Sequence, residues 1–119
     1  MVDLEYTDEF EEWWDGLSTE EQDSVDFSMQ LLVTFGVGLR RPHADTVRGS
    51  RFVNMRELRC QHQGRPLRVL YAFDPRRSAV VLIGGDKTGN ARWYDEMLPK
   101  ADAIYAAYLD ELRSEGLIE

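Results

Sequence analysis

The sequence has few cysteines and histidines and no long apolar segment, so it offers little for a disulfide, a metal site or a membrane-spanning helix. Cys60 is the one cysteine. It cannot form an internal disulfide, and we expect a half-buried strand residue in a reducing compartment. His43 and His62 are the only histidines, and no HxxxH, HExxH or CxxC spacing exists. We therefore expect no metal and no other cofactor. No apolar run reaches the ~18 residues of a membrane helix, and the N-terminus is acidic where a signal peptide is basic. We expect a cytoplasmic protein without a membrane partner.

Basic residues are missing from one part of the chain rather than from the whole. Residues 1–39 contain no lysine or arginine and carry a net charge of −11, residues 40–92 carry +8 and residues 93–119 carry −5. The basic middle consists almost entirely of arginine, whose guanidinium group binds phosphate through two hydrogen bonds. This pattern is typical of a surface that contacts a polyanion. The alternative is that many of these arginines pair with the chain's own acids.

The spacing of apolar residues predicts one α+β domain over residues 1–119. Strands that are grouped after helices favour this class over a doubly wound sheet. Ser18 and Glu21 have the spacing of a capping box at the start of the second helix. The predicted elements are a strand over 2–6, a helix from Thr7 or Asp8 to about Asp15, a helix from Ser18 to about Phe35, a loop over 39–51, strands over 52–60, 66–73 and 78–84, a short helix over 91–97 and a helix that starts near Pro99.

The glycine-rich segment GGDKTG, residues 84–89, superficially resembles the phosphate loop of nucleotide hydrolases. That loop requires a glycine directly before its lysine, and another glycine five positions before that one. Here Asp86 precedes Lys87, and a carboxylate at that position repels a triphosphate. The sequence therefore argues against nucleotide hydrolysis. Asp86 orients the lysine, accepts a proton or caps the turn, and we favour the turn.

Cationic and aromatic residues are predicted to meet at one end of the sheet. Arg68 projects from the central strand on the face opposite its main apolar row, and Arg59 lies on the hairpin partner. Lys87 follows the last strand, and Trp93 and Tyr94 start the next helix. Such a group suits metal-free cleavage of RNA, because cations stabilise the pentavalent phosphorus while other side chains move protons. Aromatic rings also stack on unpaired bases. A merely structural strand surface is the alternative.

The run MRELR…GRPLRVLYAFDPRRSAVVLIGGDKTG, followed by WY and ADAIYAAYLDEL, resembles the RelE/ParE toxin superfamily, in particular its phage-derived HigB-like branch. The resemblance implies a RelE-like fold, in which an N-terminal helical hairpin and a C-terminal helix pack on an antiparallel sheet of an N-terminal strand and a three-strand meander. It also implies a type II toxin–antitoxin toxin that cleaves mRNA on the ribosome without metal. The implied partner is a cognate helix-turn-helix antitoxin, whose complex with the toxin binds operator DNA.

The same resemblance assigns roles to individual residues. It implies that Arg68 and Lys87 stabilise the phosphate, and that Tyr94 or Trp93 acts as acid, base or stacking group. HigB-like members use a histidine, for which His62 is the candidate. The predicted RNA-binding residues are Arg56, Arg59, Arg65, Arg92 and Trp93. At the two positions where RelE-type members carry lysines, this sequence has Met55 and Glu57, which removes positive charge.

Two other functions compete with the ribosome-dependent endoribonuclease. One is a ParE-type toxin that inhibits DNA gyrase through protein contacts, for which the cations would be dispensable. The other is a weak or inactive member that retains only antitoxin binding and operon regulation. The net charge of −8 is unusual for a family that is basic overall.

Overall fold

Five strands and three α-helices make up the computed structural model, which describes residues 1–119. The elements in chain order are β1 (Leu4–Tyr6), α1 (Asp8–Asp15), α2 (Thr19–Phe35), β2 (Ala44–Thr46), β3 (Arg56–His62), β4 (Arg65–Phe73), β5 (Ala79–Asp86) and α3 (Trp93–Ser114). A single 3-10 turn, Gly36–Gly38, follows α2. The predicted α+β class is confirmed, and the element order agrees with the prediction except for the added strand β2 and the single helix α3.

The five strands form one sheet in the order β1-β5-β4-β3-β2. Strands β2 to β5 pair antiparallel, as the predicted meander requires. However, β1 pairs parallel to β5, with Leu4 opposite Ala79, so the sheet is mixed rather than wholly antiparallel. Strand β2 lies in the segment that was predicted as loop. It has only three residues, too few for an alternating pattern to be recognised.

The two N-terminal helices begin and end where the sequence predicts. Thr7 caps α1 by accepting a hydrogen bond from the Phe10 amide. Ser18 and Glu21 form the predicted capping box of α2, which satisfies two of the amides that a helix start leaves free. None of the three helices has the length and apolar character that a membrane crossing needs.

The C-terminal helix is one element where two were predicted. Pro99 lies inside α3, although proline removes one hydrogen bond of a helix interior and costs about 3 kcal/mol there. Burial offsets this cost, because Leu98 and Ala101, on either side of the proline, are both in the core. Strand β3 also begins four residues later than predicted. Before it, the Asp102 carboxylate of α3 accepts hydrogen bonds from the Ser50 hydroxyl at 2.5 Å and the Arg51 amide at 3.0 Å.

Each face of the sheet has its own hydrophobic core. Side chains of a strand alternate between the two faces, so neighbouring residues of β4 enter different cores. The core under α1 and α2 has 13 buried residues, among them Phe10, Val25, Leu32, Leu58, Cys60, Val69 and Val81. The core under α3 has 10, among them Met55, Leu70, Val80, Leu82, Trp93 and Tyr105.

A bulge in β5 changes which residues face which core. The register moves from Tyr71–Val81 to Leu70–Ile83, so Leu82 has no partner on β4. Beyond the bulge, Gly84 lies against Trp13 of α1 and Gly85 lies against Trp93 of α3. The end of β5 and the loop after it are thus placed by one extra residue.

Candidate functional site

Three charged side chains of the adjacent strands β3 and β4 project towards α3. Arg59 of β3 lies directly opposite Arg68 of β4. Glu57 precedes Arg59 by two residues and therefore shares its face, and Leu70 of the α3-side core marks that face on β4. Like charges that are directly opposite on neighbouring strands destabilise a sheet. An anion close to the two arginines is therefore needed to balance them.

Glu57 is the anion that the chain itself provides. Its side chain is only 3% exposed, with Oε2 3.3 Å from Arg59 Nε and Oε1 3.5 Å from Arg68 Nε. The Tyr94 hydroxyl donates a hydrogen bond of 2.5 Å to Glu57 Oε1. A single buried carboxylate thus connects both strand arginines with the start of α3.

The Arg68 guanidinium is buried with most of its donors unused. Its side chain is 10% exposed, and its one hydrogen bond runs from Nη1 to the Leu67 carbonyl at 3.1 Å. The Nε atom lies within ion-pair distance of Glu57 but forms no hydrogen bond. Because a guanidinium carries five N–H donors, and a buried donor without a partner costs about 1–3 kcal/mol, Arg68 can accommodate a further anion.

Tyr94 and Lys87 border the arginines on the α3 side. Lys87 Nζ lies 5.0 Å from the centre of the Tyr94 ring, a cation–π contact. Burial, and then the hydrogen bond to Glu57, raise the pKa of Tyr94 to about 12. The Tyr94 phenol therefore keeps its proton at neutral pH, and it can lose that proton only while passing it to a neighbour such as Glu57.

Close packing of Trp93 fixes the position of Tyr94. Trp93 is 4% exposed, and its ring lies so near Gly85 that a Cβ atom there would be 2.7 Å from the indole Nε1. The rings of Trp93 and Tyr94 meet edge to face, with centres 5.1 Å apart. Trp93 was also predicted to bind RNA, and the structure places its ring in the α3-side core, where it positions Tyr94.

The loop before α3 is a turn that holds Lys87 in place. Asp86 Oδ1 accepts hydrogen bonds from the Thr88 amide at 2.9 Å and from the Thr88 hydroxyl at 2.5 Å. These bonds, from the hydroxyl first, lower the pKa of Asp86 despite its partial burial. The favoured turn role of Asp86 agrees with these contacts. Lys87 itself donates its amide to the Pro66 carbonyl, which connects the loop to β4.

Three of the predicted site residues, His62, Arg65 and Arg56, lie on the other face of the sheet. His62 is 7% exposed, and its Nδ1 shares a 2.7 Å hydrogen bond with the Ser24 hydroxyl of α2. Arg65 pairs with Glu21 of α2 and, at 3.1 Å, with Asp86. The structure thus does not bring His62 or Arg65 together with Arg68, because strand alternation directs them towards α2.

Two further arginines of the predicted RNA-binding set lie outside the group around Glu57. Arg56 donates from Nη1 and Nη2 to the carbonyls of Val37 and Leu39, so it closes the turn after α2. Arg92 lies beside the start of α3, with 79% of its side chain exposed and Asp95 at 3.9 Å. Arg92 remains available to a polyanion, whereas Arg56 is committed to the backbone.

Glu57 is the site residue whose role the sequence did not reveal. The sequence indicated only that Glu57 removes positive charge, while the structure puts its carboxylate between Arg59, Arg68 and Tyr94. Strand alternation could have indicated this, since Glu57 and Arg59 must share a face and that face carries Arg68. Met55, the other replaced lysine, is fully buried in the α3-side core.

No metal site or enclosed ligand pocket accompanies the group. No three His, Cys, Asp or Glu side chains lie close enough together to hold a metal ion. The largest concavity, about 560 Å³, lies between β1 and the C-terminal half of α3 and contains none of the residues around Glu57. The group around Glu57 thus lies outside the largest concavity of the molecule.

The sequence is similar to a described protein family. The family described as "Phage derived protein Gp49-like" matches residues 12–106. Two proteins of Mycobacterium tuberculosis (strain ATCC 25618 / H37Rv), HigB2 and HigB3, are named as candidate toxins and are 44% and 46% identical to this chain. The matches include 82% and 77% of this chain, with 49% of HigB2 and 80% of HigB3. The chain thus spans about half the length of HigB2.

A solved structure has a similar fold. It is the free state of a double arginine-to-alanine variant of the E. coli toxin RelE, and it matches with a TM-score of 0.58 at 11% identity. The match covers 80% of this chain and 92% of the RelE chain. The shared architecture is the RelE-like arrangement of helices on a sheet.

Proposed function

Because the chain belongs to the phage-derived Gp49-like family, the HigB-like branch of the RelE-type toxins, we propose that it is a type II toxin that cleaves mRNA on the ribosome. One observation carries this proposal: the group of Glu57, Arg59, Arg68, Lys87 and Tyr94, in which a buried arginine has unused donors beside a tyrosine–carboxylate pair. Its components are those that RNA cleavage without metal requires.

The cations have the task of holding the scissile phosphate. Arg59 and Arg68 are paired residues of the neighbouring strands β3 and β4, and both side chains lie on the α3 face of the sheet. Lys87 lies in the loop after β5, beside them. In the pentavalent transition state the phosphoryl oxygens gain negative charge, and pre-placed cations stabilise that charge more than the charge of the bound substrate. We assign Arg68 the largest share because it is the most deeply buried of the three.

Tyr94 and Glu57 are proposed to act together as the base. As the 2′-hydroxyl attacks the phosphorus, its proton passes to the Tyr94 oxygen while the Tyr94 proton passes to Glu57. The bond from phosphorus to the 5′-oxygen then breaks, and the Lys87 ammonium protonates the leaving oxygen. The products are a 2′,3′-cyclic phosphate and a 5′-hydroxyl. The 2.5 Å hydrogen bond between Tyr94 and Glu57 supports this assignment.

The partners follow from the same proposal. The substrate is mRNA on the ribosome, so the toxin acts in the cytoplasm. A cognate helix-turn-helix antitoxin neutralises it, and the complex of the two binds operator DNA. Arg92, exposed beside the site, is assigned to contact the RNA backbone.

Inducible expression with mapping of mRNA 5′ ends tests the proposal. We expect the wild type to arrest growth and to create new 5′ ends within translated codons. Arg68→Ala should reduce cleavage by roughly 100-fold or more. Arg113→Ala is the matched control, since it removes an arginine that pairs only with Asp110 and the C-terminal backbone.

Two other outcomes would contradict the proposal. Growth arrest with DNA-damage signalling, no mRNA cuts and full toxicity of Arg68→Ala would identify a gyrase-type toxin. Absence of toxicity in the wild type, with antitoxin binding intact, would identify a member that has lost cleavage and retains only regulation.

A further inference from the structure

The outer face of α2 carries an apolar stripe whose two aromatic side chains are largely exposed. Phe27, Leu31 and Phe35 follow one another at intervals of four residues, so they line one side of the helix. Phe27 is 63% and Phe35 is 58% exposed, and Val37 in the turn that follows is 67% exposed. Exposed aromatic side chains arranged contiguously, rather than singly, indicate an interaction surface.

This stripe adjoins the side of α2 that packs on the sheet. The inner side of the helix buries Val25, Met29 and Leu32 in the core, and Leu31 packs against the same core from its edge. Phe27 and Phe35 extend the apolar surface of the helix beyond what that core covers. Their exposed rings are therefore best explained by contact with another polypeptide.

Charged residues at the two ends of the stripe have opposite sign. Asp23 continues the four-residue spacing at the N-terminal end, and Arg40 follows the turn at the C-terminal end and lines a shallow furrow with Leu31 and Phe35. Neither the Asp23 carboxylate nor the Arg40 guanidinium has an ion pair or a side-chain hydrogen bond. Arg41, by contrast, pairs with Asp45 at 2.6 Å. The stripe thus ends in one free acid and one free base.

We propose that this face is a two-fold interface between two copies of the chain. Leu31 lies near the middle, with Asp23 about 12 Å away towards the N-terminus at 1.5 Å per residue. If the two α2 helices run antiparallel about an axis near Leu31, the apolar stripes cover each other. Asp23 of each copy then meets Arg40 of the other, because a two-fold axis creates every contact twice.

The opposite charges at the two ends of the stripe favour a second copy of the chain over an unrelated partner. A surface that is acidic at one end and basic at the other is complementary to itself when it is turned around. Arg59 lines a shallow furrow together with Asp23 and Phe27, so the dimer would border the group around Glu57 at this arginine. The inference itself does not rest on the proposed RNA cleavage.

Sedimentation of the full-length chain across a range of concentrations tests the dimer. We expect a monomer–dimer equilibrium with a dissociation constant in roughly the micromolar range, as is typical of small interfaces. Phe35→Glu should abolish association and leave the circular dichroism spectrum unchanged, because Phe35 is outside the core. Asp110→Arg, a charge reversal near the end of α3, is the control and should not alter the equilibrium.

Charge reversal distinguishes a two-fold dimer from any other association. Asp23→Arg and Arg40→Asp should each weaken the dimer about tenfold, because like charges then face each other. The double variant Asp23→Arg, Arg40→Asp restores opposite charges across the axis and should recover wild-type association. A wild type that is monomeric at all concentrations, or a double variant as weak as the single variants, would overturn the inference.

Discussion

The two faces of the sheet treat their charged residues differently. On the face under α1 and α2, Arg65 lies between two carboxylates, and Arg56 donates to two carbonyls. On the face under α3, Arg59 also lies between two carboxylates, but Arg68 has one hydrogen bond to the backbone and an Nε atom without any. These three other arginines are matched within the chain, whereas Arg68 is left short of acceptors. An anion from outside the chain is what would complete the second face.

The largest expected effect tests whether the α1/α2 face is mainly structural. Leu32→Ala removes a fully buried side chain of that core and should lower the free energy of unfolding by about 3 kcal/mol. Urea denaturation measures this loss. Leu117→Ala, at a site that is 49% exposed, should cost well under 1 kcal/mol. Equal losses in the two variants would contradict the assignment of the core.

A second test compares the effects of substituting two neighbouring glycines that pack against opposite faces of the sheet. An added Cβ would lie 2.3 Å from Trp13 ring carbons at Gly84, and 2.7 Å from Trp93 Nε1 at Gly85. Gly84→Ala and Gly85→Ala should each destabilise the fold by about 1–3 kcal/mol through overpacking. Only Gly85→Ala should also reduce RNA cleavage in folded protein, because displacing Trp93 moves Tyr94. If both variants kept full activity per folded molecule, Trp93 would have no role in positioning the site.

Titration of Tyr94 examines the electrostatics of the α3 face. Glu57→Gln removes a negative charge and should lower the pKa of Tyr94 from about 12, although burial keeps the pKa above its ordinary value. Tyrosine absorbance near 295 nm follows this change, and Tyr94→Phe identifies the signal among the other tyrosines. An unchanged Tyr94 titration in Glu57→Gln would show that the carboxylate does not control the phenol.

The same raised pKa fixes the direction of a stability change in alkali. Because the pKa of Tyr94 is higher in the folded than in the unfolded chain, its contribution is complete below the ordinary value of 10.0 and is lost as the pH rises towards about 12. Tyr94→Phe should therefore make stability less dependent on pH in that window, as urea denaturation can measure.

The smallest expected effect is a change in stability at low pH, and it concerns Glu21 on the α1/α2 face. Hydrogen bonds from the Ser18 amide and then from Arg65 lower the pKa of Glu21 from 4.5 to about 2. A lowered pKa stabilises the fold above the ordinary value, and this contribution is lost as the pH falls from 4.5 towards 2. Glu21→Gln should slightly reduce the loss of stability across that window. Glu20→Gln, which removes no such contact, should leave the pH dependence unchanged.

Local signals accounted for much of the fold. The capping residues Thr7 and Ser18 and the alternating pattern of β4 act over a few neighbouring residues, so the sequence reveals them directly. The three-residue strand β2, the parallel pairing of β1 and the continuation of α3 through Pro99 depend on contacts with distant elements. Asp102 illustrates this, since it holds residues 50 and 51 from half the chain away.

The site was predictable to a lesser degree. The sequence predicted that Arg68, Arg59, Lys87 and Tyr94 lie close together. Strand alternation and the loop after β5 determine their side of the sheet, and both can be recognised in the sequence. The sequence did not indicate that the strand parity of His62 and Arg65 directs them to α2, or that Trp93 packs against Gly85 in the core. The role of Glu57 follows only from the structure. The sequence shows that a carboxylate lowers the positive charge of the strand, but it does not show which side chains that carboxylate contacts.

The regular pairing after the bulge in β5 makes the site sensitive to the length of one short segment. Leu82 is unpaired, so its deletion would make Val81 and Ile83 neighbours opposite Tyr71 and Leu70 and would keep the pairs Val69–Gly84 and Arg68–Gly85. A deletion between Ile83 and Lys87 has no bulge to absorb it and would turn the residues that follow to the other face of the sheet. Lys87 would then be separated from Arg68 without any change in the composition of the site. The spacing between residues 83 and 87 is therefore as much a part of the site as the side chains themselves.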